Sequence, residues 1–364
     1  MIHDVMVIGA GVAGAAAAAL AAARGQRVVL VERARRGEKT PPRPDWLTQP
    51  ALTILDELHV SRGGWIGEPF DGAVFYPADL ARSAETTAAE PPAFRVDYAR
   101  LTGRLRDRAA KLGAECVYGT ATTRLDAGED HVAAVFQDRD PLQAKFVLIA
   151  DGAGDTGIGE ADATPRWVAE MSARVKKRDR NARMGWVLGL DGGKSLGCCW
   201  FDGLNVIVRL HAQGSRESVR EQLASLVARI SQRGLLPSRP AAKDADIDLR
   251  VRPAPGRLAL EIDSLVDKRS LRIGDAGGFF AAASREGIFP AMWSARLAVE
   301  VLVRAADSRH PQDELRHFST LWRTTMADYL RPPNTDLQFL LPLIFSNQQM
   351  ADRLAAAFWS GQNI

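Results

Sequence analysis

The spacing of apolar positions changes several times along the chain. Val5–Ile8 is a short unbroken apolar run, the pattern of a strand buried on both faces of a parallel sheet. Ala15–Ala23 is nearly all alanine and reads as a helix ended by Gly25; Val28–Val31 returns as a second buried strand, closed by Glu32. Thr40–Pro50 is proline-rich and reads as loop, Ala51–Leu58 as a helix, Phe70–Tyr76 as one strand. Ser83–Pro92 is rich in Ala, Thr, Glu and Pro and is expected to be mobile. Tyr98–Gly113 is a basic amphipathic helix that Gly113 ends. Ala114–Val117 and Phe146–Ala150 read as strands, with half of a hairpin at His131–Phe136. Trp167–Val175, Gly185–Leu190, Gly197–Phe201 and Asn205–His211 alternate like antiparallel strands. A helix at Ser215–Gln232, strands at Asp246–Arg252 and Leu258–Glu261, and helical spacing from Ile288 onward complete the pattern.

Glycines punctuate two of these segments. Gly9, Gly11 and Gly14 follow the first strand at G-x-G-x-x-G spacing. The first permits a tight turn, the second lets backbone approach a pyrophosphate, and the third lets the helix pack close to the sheet. The helix that follows turns its free N–H groups and positive end toward the phosphates. Glu32, 18 residues after Gly14, is placed to accept a ribose hydroxyl and to repel a 2′-phosphate. Some 240 residues later Leu271–Gly287 repeats the theme, a strand running into Gly274-Asp275 and a glycine-bearing loop. Two such pieces in this order point to FAD, a cofactor long enough to need both ends of the chain.

Composition narrows the classes. An apolar content of 46%, 25% charged residues and a net charge of +3 describe an ordinary globular chain with no steering toward nucleic acid. Three cysteines, Cys116, Cys198 and Cys199, give neither a disulfide framework nor metal spacing, and the six histidines form no ligand set. A reducing cytoplasm is the expected location, and no metal is expected. No stretch reaches the length of a membrane span. The alanine run lacks the basic flank of a signal peptide.

The periods predict an α/β fold: a Rossmann-like FAD-binding domain interleaved with an antiparallel-sheet substrate domain, then a helical C-terminal tail. The expected FAD-binding domain takes 1–70, 97–163 and 253–300, the substrate sheet 71–96 and 164–252, and the tail 301–364.

Four landmarks carry a resemblance to the single-Rossmann flavoproteins, the superfamily of aromatic hydroxylases, flavin-dependent halogenases and geranylgeranyl reductases. Gly9-Ala10-Gly11-Val12-Ala13-Gly14 with Glu32-Arg33 resembles the adenosine clamp, and Val147–Gly154 the strand that runs into A-D-G, here Ala150-Asp151-Gly152. Gly274-Asp275-Ala276-Gly277-Gly278 with Ser284-Arg285-Glu286-Gly287-Ile288 resembles the "G-D-A-A-G … G-E-G-I" segment. Arg36–Pro42, which includes Lys39, resembles the "G-E-S-L-P-P" loop beside the flavin. The resemblance implies that Asp275 meets the ribityl chain or pyrophosphate and that the helix starting at Gly287 and Ile288 faces the flavin pyrimidine edge. Thr122 is counted among the cofactor residues. The chain departs from the family at Tyr98, often Arg, at Thr102, often Asp, at Ala282, often Pro, and at Arg285, usually small.

The chemistry is read from what is missing. Halogenases need a lysine near the flavin, and none occurs between Thr40 and Ala110. The cysteine loop of prenyl reductases is absent from 36–50, although Glu286-Gly287-Ile288 suits that group. Hydroxylation asks least of the protein, because reduced flavin binds oxygen at C4a and a dry pocket protects the adduct. The expected function is therefore an FAD-dependent monooxygenase. The alternatives are a prenyl-chain reductase or a flavoprotein that hydroxylates tryptophan of a partner protein during quinone-cofactor maturation. Electrons would come from NAD(P)H or a separate flavin reductase. The substrate would be a small molecule or a partner protein, and the apolar Leu337–Phe345 could touch a membrane. Trp200 either faces the flavin cavity or packs a core, and Arg285 either points toward the cofactor or lies on a surface loop. Glu286 is either a pocket acid or a first-turn helix residue. These three are the catalytic candidates.

Overall fold

The computed structural model describes residues 1–38, 43–153, 166–174, 183–190, 198–202, 205–236, 247–332 and 337–361. The chain begins β1 (Ile2–Ile8), α1 (Val12–Ala23), β2 (Val28–Glu32), β3 (Pro44–Thr48), α2 (Gln49–Glu57), β4 (Ile66–Phe70), β5 (Gly72–Pro77), β6 (Ala84–Glu85), β7 (Ala93–Asp97) and α3 (Tyr98–Lys111). It continues β8 (Glu115–Tyr118), β9 (Thr122–Ala127), β10 (Val132–Phe136), β11 (Leu142–Ile149), β12 (Arg166–Arg174), β13 (Arg183–Leu188), β14 (Cys198–Asp202), β15 (Asn205–Gln213), α4 (Arg216–Gln232) and β16 (Ile247–Pro253). Last come β17 (Val266–Asp267), β18 (Ser270–Arg272), α5 (Ile288–Asp307), α6 (Pro311–Leu330), α7 (Leu337–Ile344) and α8 (Gln348–Ser360). Two compact units share these elements. One comprises Met1–Ile66, Val96–Asp162 and Arg257–Leu330, the other Gly67–Arg95, Ala163–Gly256 and Arg331–Ile364.

In the first unit the strand order is β17-β18-β11-β1-β2-β8, and β10 and β9 continue from β11 as a hairpin. β1 runs parallel to both β11 and β2, and β2 to β8. Met6, Ile8, Val29, Val31, Val147 and Ile149 form one core with Val132, Ala134 and Phe136 of the hairpin. Helix α1 covers the other face and also packs on α3 and α5. That sandwiching explains why β1 reads as an unbroken apolar run. It also explains the alanines: Ala15–Ala19 are wholly buried where α1 packs against α3, α5 and the sheet. Phe279 is closed in by Phe318 and Trp322 of α6, with ring centroids 6.1 and 5.6 Å away.

The second unit is a seven-stranded sheet, β16-β12-β15-β14-β13-β5-β6, antiparallel except for the β13–β5 pair. Val219, Leu223, Leu226 and Ile230, spaced on one stripe of α4, bury themselves against Ala169, Met171, Val187, Val206, Val208, Leu210 and Trp200. On the opposite face Phe358 of α8 meets Trp186 and Phe75 edge-on at 4.8 and 5.3 Å. A three-stranded sheet, β3-β7-β4, completes the strands. No helix among the described residues is long and apolar enough to cross a membrane.

Several expectations are corrected. Residues 44–50 are not loop: β3 starts at Pro44, a position that needs no ladder donor, and Pro50 sits in the first turn of α2, where its missing N–H costs nothing. Phe70–Tyr76 is two strands, broken before Gly72, where a Cβ would lie 2.1 Å from the Thr86 carbonyl oxygen. The polar 83–92 segment pairs with β5 through β6 and buries Thr86. Leu258–Glu261 is a 3-10 turn at Ala259–Glu261, closed by the Glu261 carboxylate accepting the Leu258 N–H at 2.8 Å. A separate tail over 301–364 does not form: α6 belongs to the first unit, pinned by its aromatic residues around Phe279, and 331–364 to the second.

Packing of this kind predicts a contrast. Trp322→Ala should lower stability by about 3–5 kcal/mol. Phe339→Ser, at a side chain 75% exposed, should change it by no more than about 0.5 kcal/mol. Thermal unfolding of both variants checks it.

Candidate functional site

Three segments of the first unit meet at the start of α1 without room for side chains. Gly9 has φ +94°, and a Cβ there would fall 2.4 Å from the Ala150 carbonyl oxygen and 2.8 Å from the Asp151 Cα. A Cβ on Gly14 would sit 1.8 Å from the Gly9 carbonyl oxygen. Gly274, with φ +59°, faces Ala13 so closely that its Cβ would be 2.6 Å from that methyl carbon. The first clamp, the Ala150-Asp151-Gly152 turn and the second glycine segment therefore converge. Gly152 takes φ +83°. Gly274-Asp275-Ala276-Gly277 is a 3-10 turn rather than a strand end, and its first N–H donates to Ser294 Oγ at 3.0 Å.

The α1 N-terminus has no side-chain cap, so no side chain competes for the N–H groups after Gly11. The Tyr98 hydroxyl lies 3.6 Å from where a Gly11 Cβ would be, placing one more donor at this end. The Arg43 guanidinium stacks on the Tyr98 ring at 4.0 Å. Glu32 ends β2 with both oxygens aimed back at the clamp: Oε2 accepts the Ala10 N–H at 2.8 Å, and Oε1 the Ala34 N–H at 2.9 Å. Arg106 of α3 donates to the Ala10 carbonyl at 2.7 Å and stands 3.5 Å from Glu32. Arg33 beside it is exposed. The Thr120 N–H donates to the Glu32 carbonyl at 3.4 Å, tying the β8–β9 turn to the same place. Thr122, two residues on, is buried in β9, and its hydroxyl has no hydrogen-bond partner among the described residues.

The second glycine segment leads into α5, whose N-cap is Gly287. A Cβ on Gly287 would be 3.6 Å from Asp275 Oδ1, so the Asp275 carboxylate stands between the clamp and the helix start. Gly287 offers no side chain as a cap, and Glu286 supplies one: its Oε1 accepts the Phe289 N–H at 2.8 Å. Its Oε2 accepts from the Tyr329 hydroxyl of α6 at 3.0 Å, and Thr48 Oγ1 lies 3.4 Å beyond that hydroxyl. Glu286 is 1% exposed. Burial pushes its carboxyl up to about 8, outweighing the hydrogen bonds that favour the charged form; nearby Asp45 adds to the rise. Burial, and then the neighbouring Glu286, raise the Tyr329 phenol well above its usual value. Phe289 closes on the Tyr329 ring edge-on at 5.0 Å.

Of the catalytic candidates only Glu286 belongs to this constellation by its contacts. It precedes the first turn of α5 and caps it from outside. Arg285 adopts φ +58°, and its guanidinium lies 5.4 Å from the centre of the Phe280 ring. Trp200 packs in the second unit's core, 5.3 Å from Tyr76 and against Gly185, where a Cβ would be 2.2 Å from the indole. Lys39 lies outside the described residues, as do 40–42 and Gly154. Arg106, Tyr329 and Thr48 carry no signal in the sequence, since each reaches the site from a distant segment and no local pattern marks it.

Residues 3–162 match the family model described as an FAD binding domain. Over that segment the chain is similar to FAD-binding domains. The probable electron transfer flavoprotein-quinone oxidoreductase YgcN of Escherichia coli K12 is 28% identical over 151 residues, 41% of this chain. The match takes in only 36% of that protein's length. Solved structures share the fold over nearly the whole chain. A geranylgeranyl bacteriochlorophyll reductase-like protein from Thermoplasma acidophilum has a TM-score of 0.73 at 16% identity, covering 99% of this chain and 97% of that one. The p-nitrophenol 4-monooxygenase PnpA of Pseudomonas putida DLL-E4 has 0.67 at 16% identity, covering 98% of each. The cradle fits FAD: Gly9, Gly14 and Gly274 let its segments close on one another, a Cβ on Gly11 would meet nothing but the Tyr98 hydroxyl among the described residues, the α1 end is uncapped, and Glu32 still has lone pairs for a ribose hydroxyl.

Glu32→Ala should therefore lower FAD affinity about tenfold or more, through the lost ribose acceptor and the freed Ala10 and Ala34 N–H groups. Equilibrium flavin titration measures this, and unchanged affinity would remove Glu32 from the site. The buried acid has its own signature. An unfolded Glu286 ionises from its ordinary 4.5 upward, while the folded one stays neutral to about 8. Its contribution to stability is thus whole below pH 4.5, declines as the pH rises, and is gone above 8. Glu286→Gln should flatten the fall in melting temperature over that interval.

Proposed function

We propose that this flavoprotein is a monooxygenase that hydroxylates a small, electron-rich substrate, with the flavin reduced by NAD(P)H or by a separate reductase. The bound flavin supplies the redox and oxygen chemistry; the chain binds, orients and keeps water out. The observation that carries the reading is the set of side chains at the site. The only carboxyl among the described residues there that is almost fully buried, Glu286, is tied up by the Phe289 N–H and Tyr329. The sequence offers no lysine from 40 to 110 and no cysteine from 36 to 50. Halogen transfer and prenyl reduction lean on such groups. Oxygen transfer to an activated ring needs positioning in a dry cavity.

The chain's own residues would divide the work. Gly9–Gly14 and the α1 end hold the pyrophosphate, Tyr98 adds a hydroxyl there, and Glu32, steadied by Arg106, holds the adenosine ribose. Asp275 takes the ribityl hydroxyls, and the Glu286–Tyr329 pair holds a proton at the head of α5. The antiparallel sheet of the second unit binds substrate. On the face opposite α4, Arg209, only 3% exposed, pairs with Glu170 through two nitrogens at 2.8 and 2.7 Å. A buried pair of that kind is a costly feature that suits recognition of a polar substrate group.

A second reading, reduction of a prenyl chain, rests on α7, where Phe339 and Leu343 are exposed on a short apolar helix. One experiment separates them. Reduced flavoprotein is mixed with heavy-isotope oxygen and a panel of phenols and indoles, and in parallel with a prenyl lipid under argon. Label in the aromatic product is the expected result. A hydrogenated lipid formed without oxygen, and no labelled product, would replace this reading by the second.

A further inference from the structure

The clamp and the second glycine turn do not account for Glu286, Tyr329 and Thr48. A carboxyl at 1% exposure that holds nothing but helix N–H groups and a phenol is an expensive way to cap α5. A serine or aspartate at Gly287 would cap it locally. The three groups come from separate elements, Glu286 from the loop before α5, Tyr329 from the end of α6 and Thr48 from the end of β3. They form one line of hydrogen-bonding oxygens, at 3.0 and 3.4 Å. The line can run in two directions. With Glu286 ionised, Thr48 donates to Tyr329 and Tyr329 to the carboxylate. With Glu286 protonated, its O–H donates to Tyr329 and Tyr329 to Thr48. Each state leaves every oxygen bonded, so the site can hold or release one proton without breaking.

That proton sits where it matters electrostatically. Gly274 rests on Ala13 of the clamp, and Asp275 of the same turn reaches Gly287 at the head of α5. The helix end thus belongs to the cofactor site, and its positive pole favours the extra negative charge of a reduced flavin. An ionised carboxylate at that pole cancels it.

We propose that Glu286 is a positioning residue that sets the charge at the head of α5, with Tyr329 and Thr48 holding its proton, so that protonation of this one carboxyl tunes the reduction potential of the bound flavin. This rests on the FAD site assigned above. Among the described residues, the charged and titratable groups near the carboxyl include Asp45 on β3, itself paired to Arg43 at 3.3 Å, Tyr329 on α6, Asp275 in the turn before the helix, and the adjoining Arg285. Glu286 stays neutral up to about 8, so the full pole is presented at neutral pH and withdrawn in mild alkali.

The test is the midpoint potential of FAD-loaded protein, followed by visible absorbance against a reference dye from about pH 6 to about pH 9.5, a range that brackets the Glu286 ionisation. Wild type and Glu286→Gln should agree at the acid end and diverge above about pH 8, the wild type falling to the lower potential. Tyr329→Phe removes a hydrogen bond that favours the ionised carboxyl, so its break should move to higher pH. That shift is one a merely structural residue would not produce. Parallel potentials for wild type and Glu286→Gln at every pH, with FAD bound in both, would overturn the proposal and leave the cofactor site standing. So would a Tyr329→Phe variant whose break stays at the wild-type pH. A wild type that takes up no FAD would overturn the cofactor assignment itself, and the proposal with it.

Discussion

Everything in the first unit depends on backbone approaching backbone at places where a single methyl group would intervene. Gly14 rides on the Gly9 carbonyl, Gly9 on the Ala150 carbonyl, and Gly274 on the Ala13 methyl. The last two join segments far apart in the chain, and all three close distances that would force a side chain into its neighbours. The alanine helix extends the same constraint along its length, since Ala15–Ala19 are wholly buried beneath α3, α5 and the sheet. The shape of this junction is thus determined by absent side chains first and by polar groups second. Glu32, Asp275 and the α1 N–H groups can act only because the glycines have already brought their segments together.

Legibility in the sequence follows from that order. Strand, glycine turn, helix, strand and acid are local and periodic, so β1, α1, β2 and Glu32 stand where the spacing puts them. The second glycine segment is legible too, though Gly274–Gly277 is a 3-10 turn with Gly274 in a left-handed conformation. What local pattern cannot show is any residue whose partner lies elsewhere. Arg106 sits beside the buried stripe of α3, and nothing in α3 says that it will meet the carbonyl of Ala10. Tyr329 is one aromatic residue among several near the end of a long helix.

Two local signals mislead when taken alone. The prolines of 40–50 suggest loop, yet Pro44 and Pro50 occupy the first residue of a strand and the first turn of a helix, positions that ask for no N–H. Trp200 draws attention as an aromatic residue on a sheet strand. Strand alternation decides otherwise: Trp200 shares its face with Val187 and Val208, its cross-sheet companions beneath α4, and a residue on that face is core. The opposite face carries the Arg209–Glu170 pair.

The cap of α5 shows how the two kinds of constraint combine. Gly287 has no side chain, and a Cβ there would lie in ordinary contact, 3.6 Å from Asp275 Oδ1. A glycine there cannot cap the helix, and the N–H of Phe289 is left to find an acceptor in a place closed to water. The nearest residue able to reach it is the preceding one, Glu286, and reaching it draws the carboxyl out of solvent. Tyr329 and Thr48 then supply the remaining hydrogen bonds that make such burial tolerable. A missing side-chain cap at one glycine is thereby converted into a buried, titratable acid one residue away. An acid whose protonation changes near pH 8 rather than pH 4.5 can respond to a charge arriving beside it under ordinary conditions.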